Sequence, residues 1–305
     1  MKHICSLFTA CLLLFAACEK PLVVGGNDDD SHASERNLFI SVSGFNVVPF
    51  DVSRASADLK SHCSRLNFVV YQNGKKVKGV NQVASQADFG QVALSVDEGQ
   101  YDVLVLAHSA NGNPVVSDPE KIQFTNDDGF TDTFFSYEKV NVGGEGSAME
   151  VVLDRCTAMF RLITTDNVPD DVVRMRFYYT GGSGALDVVT GYGCVNSKQV
   201  VFFDITDDMH GKPLRLETYT FPKSETSSLK MLMQAYNSNN DILYEHELTD
   251  VPIQMNRVTE YTGRFFDSSA EGGENEGGKN GGEGGAPSLS IKLNTEWGGT
   301  LKGSF

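Results

Sequence analysis

The stretch Leu66-Asn67-Phe68-Val69-Val70-Tyr71-Gln72-Asn73-Gly74 predicts how this chain folds. Most of its first six residues are β-branched, aromatic or aliphatic, a composition that favours an extended strand. Asn73 and Gly74 adopt positive φ readily, so they predict the type I′ turn of a β-hairpin. The chain from Asn37 onward keeps this style, with short apolar runs separated by turns rich in Gly, Asn and Asp.

The spacing of these runs predicts an all-β protein. Val103–Leu106 is apolar on both faces, which indicates a central strand, and no predicted helix exceeds one turn at Ala55–Ser61. Turns every 8 to 12 residues indicate two consecutive β-sandwiches, 37–147 and 148–266. The other predicted strands are Leu38–Val42, Val92–Val96, Tyr101–Ala107, Phe134–Val142, Met149–Leu153, Ala158–Thr164, Arg174–Tyr179, Val200–Asp204, Leu214–Phe221, Leu229–Tyr236, Ile242–Leu248 and Val258–Phe266.

The N-terminus resembles the signal of a bacterial lipoprotein. Lys2 precedes a short apolar run, and the small residues Ala16 and Ala17 stand directly before Cys18. This pattern predicts a signal peptide at 1–17, lipid on Cys18, a solvated tether at 18–36, and a protein fastened to the outer membrane and exposed outside the cytoplasm. The alternative is an ordinary secretory signal, in which Cys18 has no special role.

The C-terminus combines a linker with one more strand. Residues 267–287 are almost all Gly, Glu, Ser and Asn, which predicts a flexible connection spanning about 25 Å. In 288–305, the alternation of Leu289, Ile291 and Leu293 predicts a strand with one apolar face. That strand either docks on its own second sandwich or is donated to another subunit by β-strand addition.

Composition argues against nucleic acid as a partner and against catalysis. The 305-residue chain has a formal net charge of -15 and no basic stripe. Its histidines lack metal-site spacing, and no nucleophile–base or phosphate-loop pattern occurs, so we expect neither a cofactor nor a metal, and no enzyme activity. The odd set Cys63, Cys156 and Cys194 favours buried free thiols, while a Cys156–Cys194 disulfide stays open.

Several segments together resemble the FimB-type fimbrial-subunit lipoproteins of Bacteroidota. These segments are 68–77 (Phe-Val-Val-Tyr-Gln-Asn-Gly-Lys-Lys-Val), 88–90 (Asp-Phe-Gly), 98–101 (Glu-Gly-Gln-Tyr), 131–134 (Thr-Asp-Thr-Phe), 177–183 (Phe-Tyr-Tyr-Thr-Gly-Gly-Ser) and 256–263 (Asn-Arg-Val-Thr-Glu-Tyr-Thr-Gly). The resemblance implies two transthyretin-like β-sandwiches and a role in type V fimbriae, whose subunits travel as lipoproteins and join by strand donation.

Within that family, anchor subunits keep their lipid, whereas stalk subunits are trimmed after a basic residue. Arg54 is the nearest candidate for such a cut, but we favour the interpretation that it is an ordinary loop arginine and that the chain is not cut. We therefore expect an outer-membrane fimbrial anchor or accessory subunit whose partners are other fimbrial subunits. The alternative is a surface lipoprotein that binds glycans or host proteins, with Tyr178, Tyr179 and Tyr192 as a sugar platform.

Overall fold

The computed structural model describes residues 36–46, 59–125, 127 and 129–266, together with the backbone of 290–294. In this part of the chain strands dominate, the α-helix is the single turn α1 (Leu59–His62), and a 3₁₀ turn covers Asp207–Met209. The predicted all-β architecture is confirmed.

The strands up to residue 155 are β1 (Leu38–Asn46), β2 (Arg65–Gln72), β3 (Lys75–Val83), β4 (Gln91–Leu94), β5 (Gly99–His108), β6 (Ile122–Gln123), β7 (Phe134–Val142) and β8 (Ser147–Arg155). The later strands are β9 (Ala158–Thr164), β10 (Arg174–Thr180), β11 (Ala185–Leu186), β12 (Gln199–Asp204), β13 (Arg215–Thr220), β14 (Ser227–Tyr236), β15 (Ile242–Ile253), β16 (Val258–Gly263) and β17 (Ser290–Asn294).

Seven strands form the first sheet, in the order β3-β2-β5-β7-β8-β1-β4. Neighbouring strands are antiparallel except β1 and β8, which run parallel. One face of the sheet collects apolar side chains from both of its ends, including Leu38, Phe68 and Leu94, into one buried core. The sheet therefore folds over on itself and packs as a sandwich.

The turn between β2 and β3 has the conformation that the sequence predicts. Asn73 has φ 53° and Gly74 has φ 73°, so both central residues are in the left-handed region that a type I′ turn requires. The β2–β3 register continues from this turn, with Gln72 opposite Lys75.

Strand β5 is central, as the apolar run Val103–Leu106 predicts. It lies between β2 and β7, and its two faces enter different apolar clusters. Val103 and Val105 join the core of the first sheet, whereas Leu104 and Leu106 face a separate cluster that includes Ile122. Burial on both faces explains why no polar alternation interrupts this strand.

Two four-stranded sheets form the second sandwich, in the orders β12-β10-β14-β15 and β13-β9-β16-β17. On β14 the side chains of Leu229, Met231 and Met233 alternate into the core, as their spacing predicts. Phe160 and Tyr261 reach the same core from the opposite sheet. In that sheet β9 and β16 run parallel, while β13 and β17 are antiparallel to their neighbours.

The chain changes from the first sheet to the second sandwich later than the predicted boundary at 147/148. Strand β8 pairs along β1 from Ser147 to Asp154 and so belongs to the first sheet. The change comes at Cys156 and Thr157, immediately before β9. Turn residues at Gly143–Gly146 indicated a boundary, but they close only the hairpin between β7 and β8.

An apolar cluster and one arginine connect the two halves. Val69, Tyr71, Leu104 and Leu106 on the outer face of β2 and β5 pack against Phe221 and other residues from the second half. At the change of sheets the Arg155 side chain donates to both carboxylate oxygens of Asp132 and, at 2.9 Å, to the side-chain oxygen of Asn256. One guanidinium thereby ties two other segments of the chain to the end of β8.

His108 has a fully buried side chain. It is the last residue of β5, its Nε2 lies 3.0 Å from Asn67 Oδ1, and its Nδ1 accepts from the Ala110 amide. Burial, assisted by the nearby positive charge of Arg65, lowers the pKa of His108 to about 4. The imidazole is therefore neutral at physiological pH, and both of its nitrogens have partners.

We predict that His108 makes folding sensitive to mild acid. In the unfolded chain the imidazole binds a proton near pH 6.5, but in the folded chain only near pH 4. Its contribution is thus complete above pH 6.5 and is lost as the pH falls towards 4, by up to about 3 kcal/mol. Urea unfolding between pH 7.5 and 4.5 measures this loss. His108→Gln should flatten the curve, and a wild-type curve that is already flat would contradict the prediction.

Candidate strand-docking edge

The predicted C-terminal strand lies at the end of a sheet. Strand β17 pairs antiparallel with β16, and β13 is at the other end of the same four-stranded sheet. In this register Ile291 stands opposite Tyr261, and Leu293 stands opposite Thr259. Tyr261 and Thr259 are both buried. The described strand begins at Ser290, so Leu289 lies outside the described residues.

A row of charged residues crosses this sheet. The register aligns Glu217 of β13 with Arg161 of β9, Arg161 with Glu260 of β16, and Glu260 with Lys292 of β17. Arg161 Nε donates to Glu217 Oε1 at 2.7 Å, and Arg161 Nη1 donates to Glu260 Oε2 at 3.1 Å. Acidic and basic residues thus alternate over four neighbouring strands.

The centre of this charged row is nearly closed to solvent. The Arg161 side chain is 8% exposed and that of Glu260 is 10% exposed. Burial opposes the charge on Arg161, but hydrogen bonds to Glu260 and Glu217 raise its pKa above the ordinary value. Burial likewise opposes the charge on Glu217, but hydrogen bonds from Arg215 and Arg161 lower its pKa. The ionised forms are therefore held by their partners rather than by water.

This arrangement determines which residues a strand needs in order to pair with the edge of β16. A strand that occupies it presents residues opposite Tyr261 and Thr259, with one residue between them opposite Glu260. Glu217 has both Arg161 and Arg215 as partners, whereas Glu260 shares only Arg161 among the described side chains. A basic residue between two apolar ones, as in Ile291-Lys292-Leu293, matches these requirements.

Two sequence-predicted site residues, Cys18 and Arg54, lie outside the described residues. Cys63, Cys156 and Cys194 are free thiols, so the Cys156–Cys194 disulfide left open above is not formed. Cys63 and Cys156 are buried and Cys194 is exposed. Burial raises the pKa of Cys63 to about 12 and also raises those of Cys156 and Cys194. None of the three is therefore a ready thiolate nucleophile.

The three tyrosines proposed as a sugar platform do not share one surface. Tyr179 is fully buried and its hydroxyl donates to the Tyr219 carbonyl at 2.9 Å, so it belongs to the core. Tyr178 faces the other way because successive residues of a strand alternate, and the Arg176 guanidinium lies 5.3 Å from its ring centre. Tyr192 is on the separate loop after β11, where its amide and carbonyl engage Thr190 and Asp187.

An open depression of about 390 Å³ in the first half has a polar lining that includes Gln100, Asp102 and Lys139. Tyr101, also in the lining, is only 5% exposed, and its hydroxyl donates to the Asp97 carbonyl. It therefore offers no open aromatic face to a sugar.

The described residues contain no cluster of three metal-binding side chains. Nor does any helix among them have the length and apolar character needed to cross a membrane. The glycine-rich end of β10 has a packing role, because Gly181 has φ 99° and a side chain there would collide with the backbone of Ser228.

The family model of a family of unknown function, DUF6562, matches residues 32–275. The chain therefore belongs to this family. The matched range covers both halves of the fold and ends before β17. A comparison with curated proteins finds no match.

Several solved structures are similar in fold. A candidate adhesin from Bacteroides thetaiotaomicron has a TM-score of 0.49 at 10% identity, covering 88% of this chain and 98% of its own. A candidate adhesin from Bacteroides ovatus has a TM-score of 0.48 at 12% identity, covering 75% and 88%. The fimbrial anchor protein Mfa2 from Porphyromonas gingivalis has a TM-score of 0.43 at 10% identity, covering 75% and 91%. Similarity at this level does not transfer a ligand or a partner.

We predict that Arg161 is essential to the stability of this edge. Arg161→Met leaves Glu260 nearly buried without its guanidinium partner, which should cost about 3 kcal/mol of unfolding free energy. The matched control is Arg215→Met, because Arg215 also donates to Glu217 but is 59% exposed. That control should cost less than about 1 kcal/mol. Urea denaturation of both variants tests the difference, and equal losses would contradict it.

Proposed function

We propose that this protein is a fimbrial anchor or accessory subunit, fastened to the outer membrane by lipid on Cys18, which joins other subunits by β-strand addition. The proposal rests on the resemblance in the sequence and on the edge formed by β16 and β17. It requires no cofactor and no catalytic residue. The affinity comes from backbone hydrogen bonds along the shared edge, and the register comes from alternating side-chain positions.

The observation that carries the proposal is how β17 is attached. Among the described strands it pairs with one neighbour only, β16, over five residues from Ser290 to Asn294. The Gly/Glu-rich linker that the sequence predicts at 267–287 lies between these two strands in the chain. The same Ile291-Lys292-Leu293 pattern would fit the edge of β16 in a neighbouring subunit equally well. Donating the strand therefore exchanges one set of contacts for an equivalent set.

Such an exchange needs the donor to stay close to its acceptor. Lipid attachment restricts subunits to a membrane surface and so raises their effective concentration for one another. A lipoprotein with several acyl chains remains attached, because each buried methylene contributes about 0.8 kcal/mol. Lipid attachment therefore favours strand addition between subunits on the same membrane.

Deleting Leu289–Phe305 should abolish co-purification with a two-sandwich lipoprotein encoded by a flanking gene. The matched control ends the chain after Asn294, which keeps β17 and should keep the complex. A point variant, Ile291→Asp with Leu293→Asp, should behave like the deletion without shortening the chain. Affinity capture followed by mass spectrometry measures each complex. Unchanged capture by the deleted chain would show that β17 is not the donor.

Labelling cells with radioactive palmitate tests the anchor separately. The wild-type protein should carry label, and Cys18→Ser should lose it because the acceptor thiol is gone. Cys11→Ser is the control, since Cys11 is removed with the predicted signal peptide, and it should label normally. A mature protein whose intact mass contains no fatty acid would contradict the anchor, whatever the result for strand addition.

A further inference from the structure

Most sheet edges of the described chain carry features that discourage pairing with another chain. Strand β3 exposes Lys75, Lys76 and Lys78, and β4 is only four residues long. Strand β15 contains two irregularities in its register and also Pro252. Strand β13 carries the ion pair of Arg215 and Glu217. Charges, short strands, bulges and proline are the usual protection of an open edge.

Strand β12 carries charge only at its two ends, with Lys198 just before it and Asp204 as its last residue. It is the end strand of the sheet β12-β10-β14-β15, and Gln199–Phe203 contains no charged residue. Its outward-facing residues include Phe202, which is 52% exposed. Gly129 lies against the Val201 side chain, which belongs to the core of the second sandwich. An apolar, β-branched and aromatic edge of this kind favours pairing with another strand.

The backbone groups that face this open edge can be identified. The Ile205 amide donates to the Val173 carbonyl at 2.9 Å, in the same register that aligns Val201 with Phe177. Antiparallel strands alternate between residues that bond one neighbour and residues that point away from it. The odd-numbered residues of β12 therefore bond β10, and Val200 and Phe202 direct their N–H and C=O groups towards the open edge.

The sequence of this edge is complementary to itself. An antiparallel pairing of two β12 strands centred on Val201 aligns Val200 of each copy with Phe202 of the other. These are the residues whose backbone groups are available. The same register aligns Lys198 of each copy with Asp204 of the other. Lys198 and Asp204 are exposed, and among the described residues neither has an ion-pair partner.

The side chains next to this edge are already ordered. The Arg174 guanidinium lies between the rings of Phe202 and Tyr236, 5.0 Å and 5.4 Å from their centres, and it donates to Asn240 at 2.7 Å. Stacking on a guanidinium fixes the orientation of Phe202. Phe202 therefore has little side-chain freedom left to lose on pairing. Arg174 also stands opposite Asp204 in the register between β10 and β12.

We propose that two copies of this chain associate through antiparallel β12 strands, about a twofold axis at Val201. The two four-stranded sheets then form one continuous sheet of eight strands. Each interface contains two Lys198–Asp204 pairs and two Val200–Phe202 pairs. A shift by one residue along either strand would align outward with inward side chains, and a shift by two would separate Lys198 from Asp204. The interface does not use β17, so it is independent of strand addition to other subunits.

A charge exchange tests the pairing in the chain carrying Cys18→Ser, so that lipid does not contribute to association. Sedimentation velocity over a concentration series should show a monomer–dimer equilibrium. Lys198→Glu or Asp204→Lys alone makes like charges meet at both ends and should raise the dissociation constant about tenfold or more. The double variant K198E/D204K reverses both charges and should return the constant close to the wild-type value.

Two further variants separate this interface from general charge effects. Lys78→Glu changes the charge by the same amount on the edge of β3 and should leave dimerisation unchanged. Phe202→Lys puts a cation in the middle of the edge and should abolish the dimer while circular dichroism stays native, since Phe202 is half exposed. A wild-type chain that stays monomeric throughout the series, or a dimer indifferent to the charge exchange, would overturn the proposal.

Discussion

An open β-sheet ends in two strands that have backbone N–H and C=O groups without a partner on one side. The described chain contains one sheet of seven strands, two of four strands and a short one of two strands, β6 and β11, and each has two such ends. The interiors of these sheets are determined by burial, because apolar side chains form one buried cluster in each half and a third that draws on both halves. What the protein offers to other molecules is therefore decided at the edges, where the backbone itself is available. The two edges with the clearest chemical character, β12 and the β16–β17 pair, both belong to the second sandwich.

Much of this fold could be predicted from local sequence. Alternating apolar residues identified β14, a run apolar on both faces identified β5 as central, and Asn73-Gly74 identified a type I′ turn. These predictions succeed because strand periodicity and turn conformation depend on residues close together in the chain. The order of the strands could not be predicted in the same way. The parallel pairs β1–β8 and β9–β16 join segments about a hundred residues apart, and the assignment of β8 to the first sheet depends on such a pairing.

The candidate site was predictable only in part, for a related reason. The alternation of Leu289, Ile291 and Leu293 indicated a strand with an apolar face, but nothing near it in sequence indicated the charged row. Three residues of the row, Glu217, Arg161 and Glu260, come from three different strands. They become neighbours only when the sheet forms, so the sequence does not show that they interact. His108 is a similar case, since its partner Asn67 lies on the neighbouring strand. For Tyr178 and Tyr179, strand alternation places the two rings on opposite faces, but only the packing of the sheet shows that Tyr179 is the one in the core. Polar groups inside a fold are specified by pairs distant in sequence, whereas apolar periodicity is specified by neighbours.

The two proposed joins differ in symmetry, and this difference determines what each can build. A strand donated to the edge of β16 makes a head-to-tail contact, which continues from one subunit to the next. Self-pairing of β12 uses the same surface on both copies, so it closes after two subunits. Because β12 and β17 belong to different sheets of the second sandwich, occupying one does not use the hydrogen-bonding groups of the other. The charged residues on the two edges also differ in what they select. On the β16 edge, Glu260 favours an incoming strand with a basic residue at one position, which selects among partners. On β12, Lys198 and Asp204 stand at opposite ends of one strand, an arrangement that only an antiparallel copy with the same spacing satisfies at both ends.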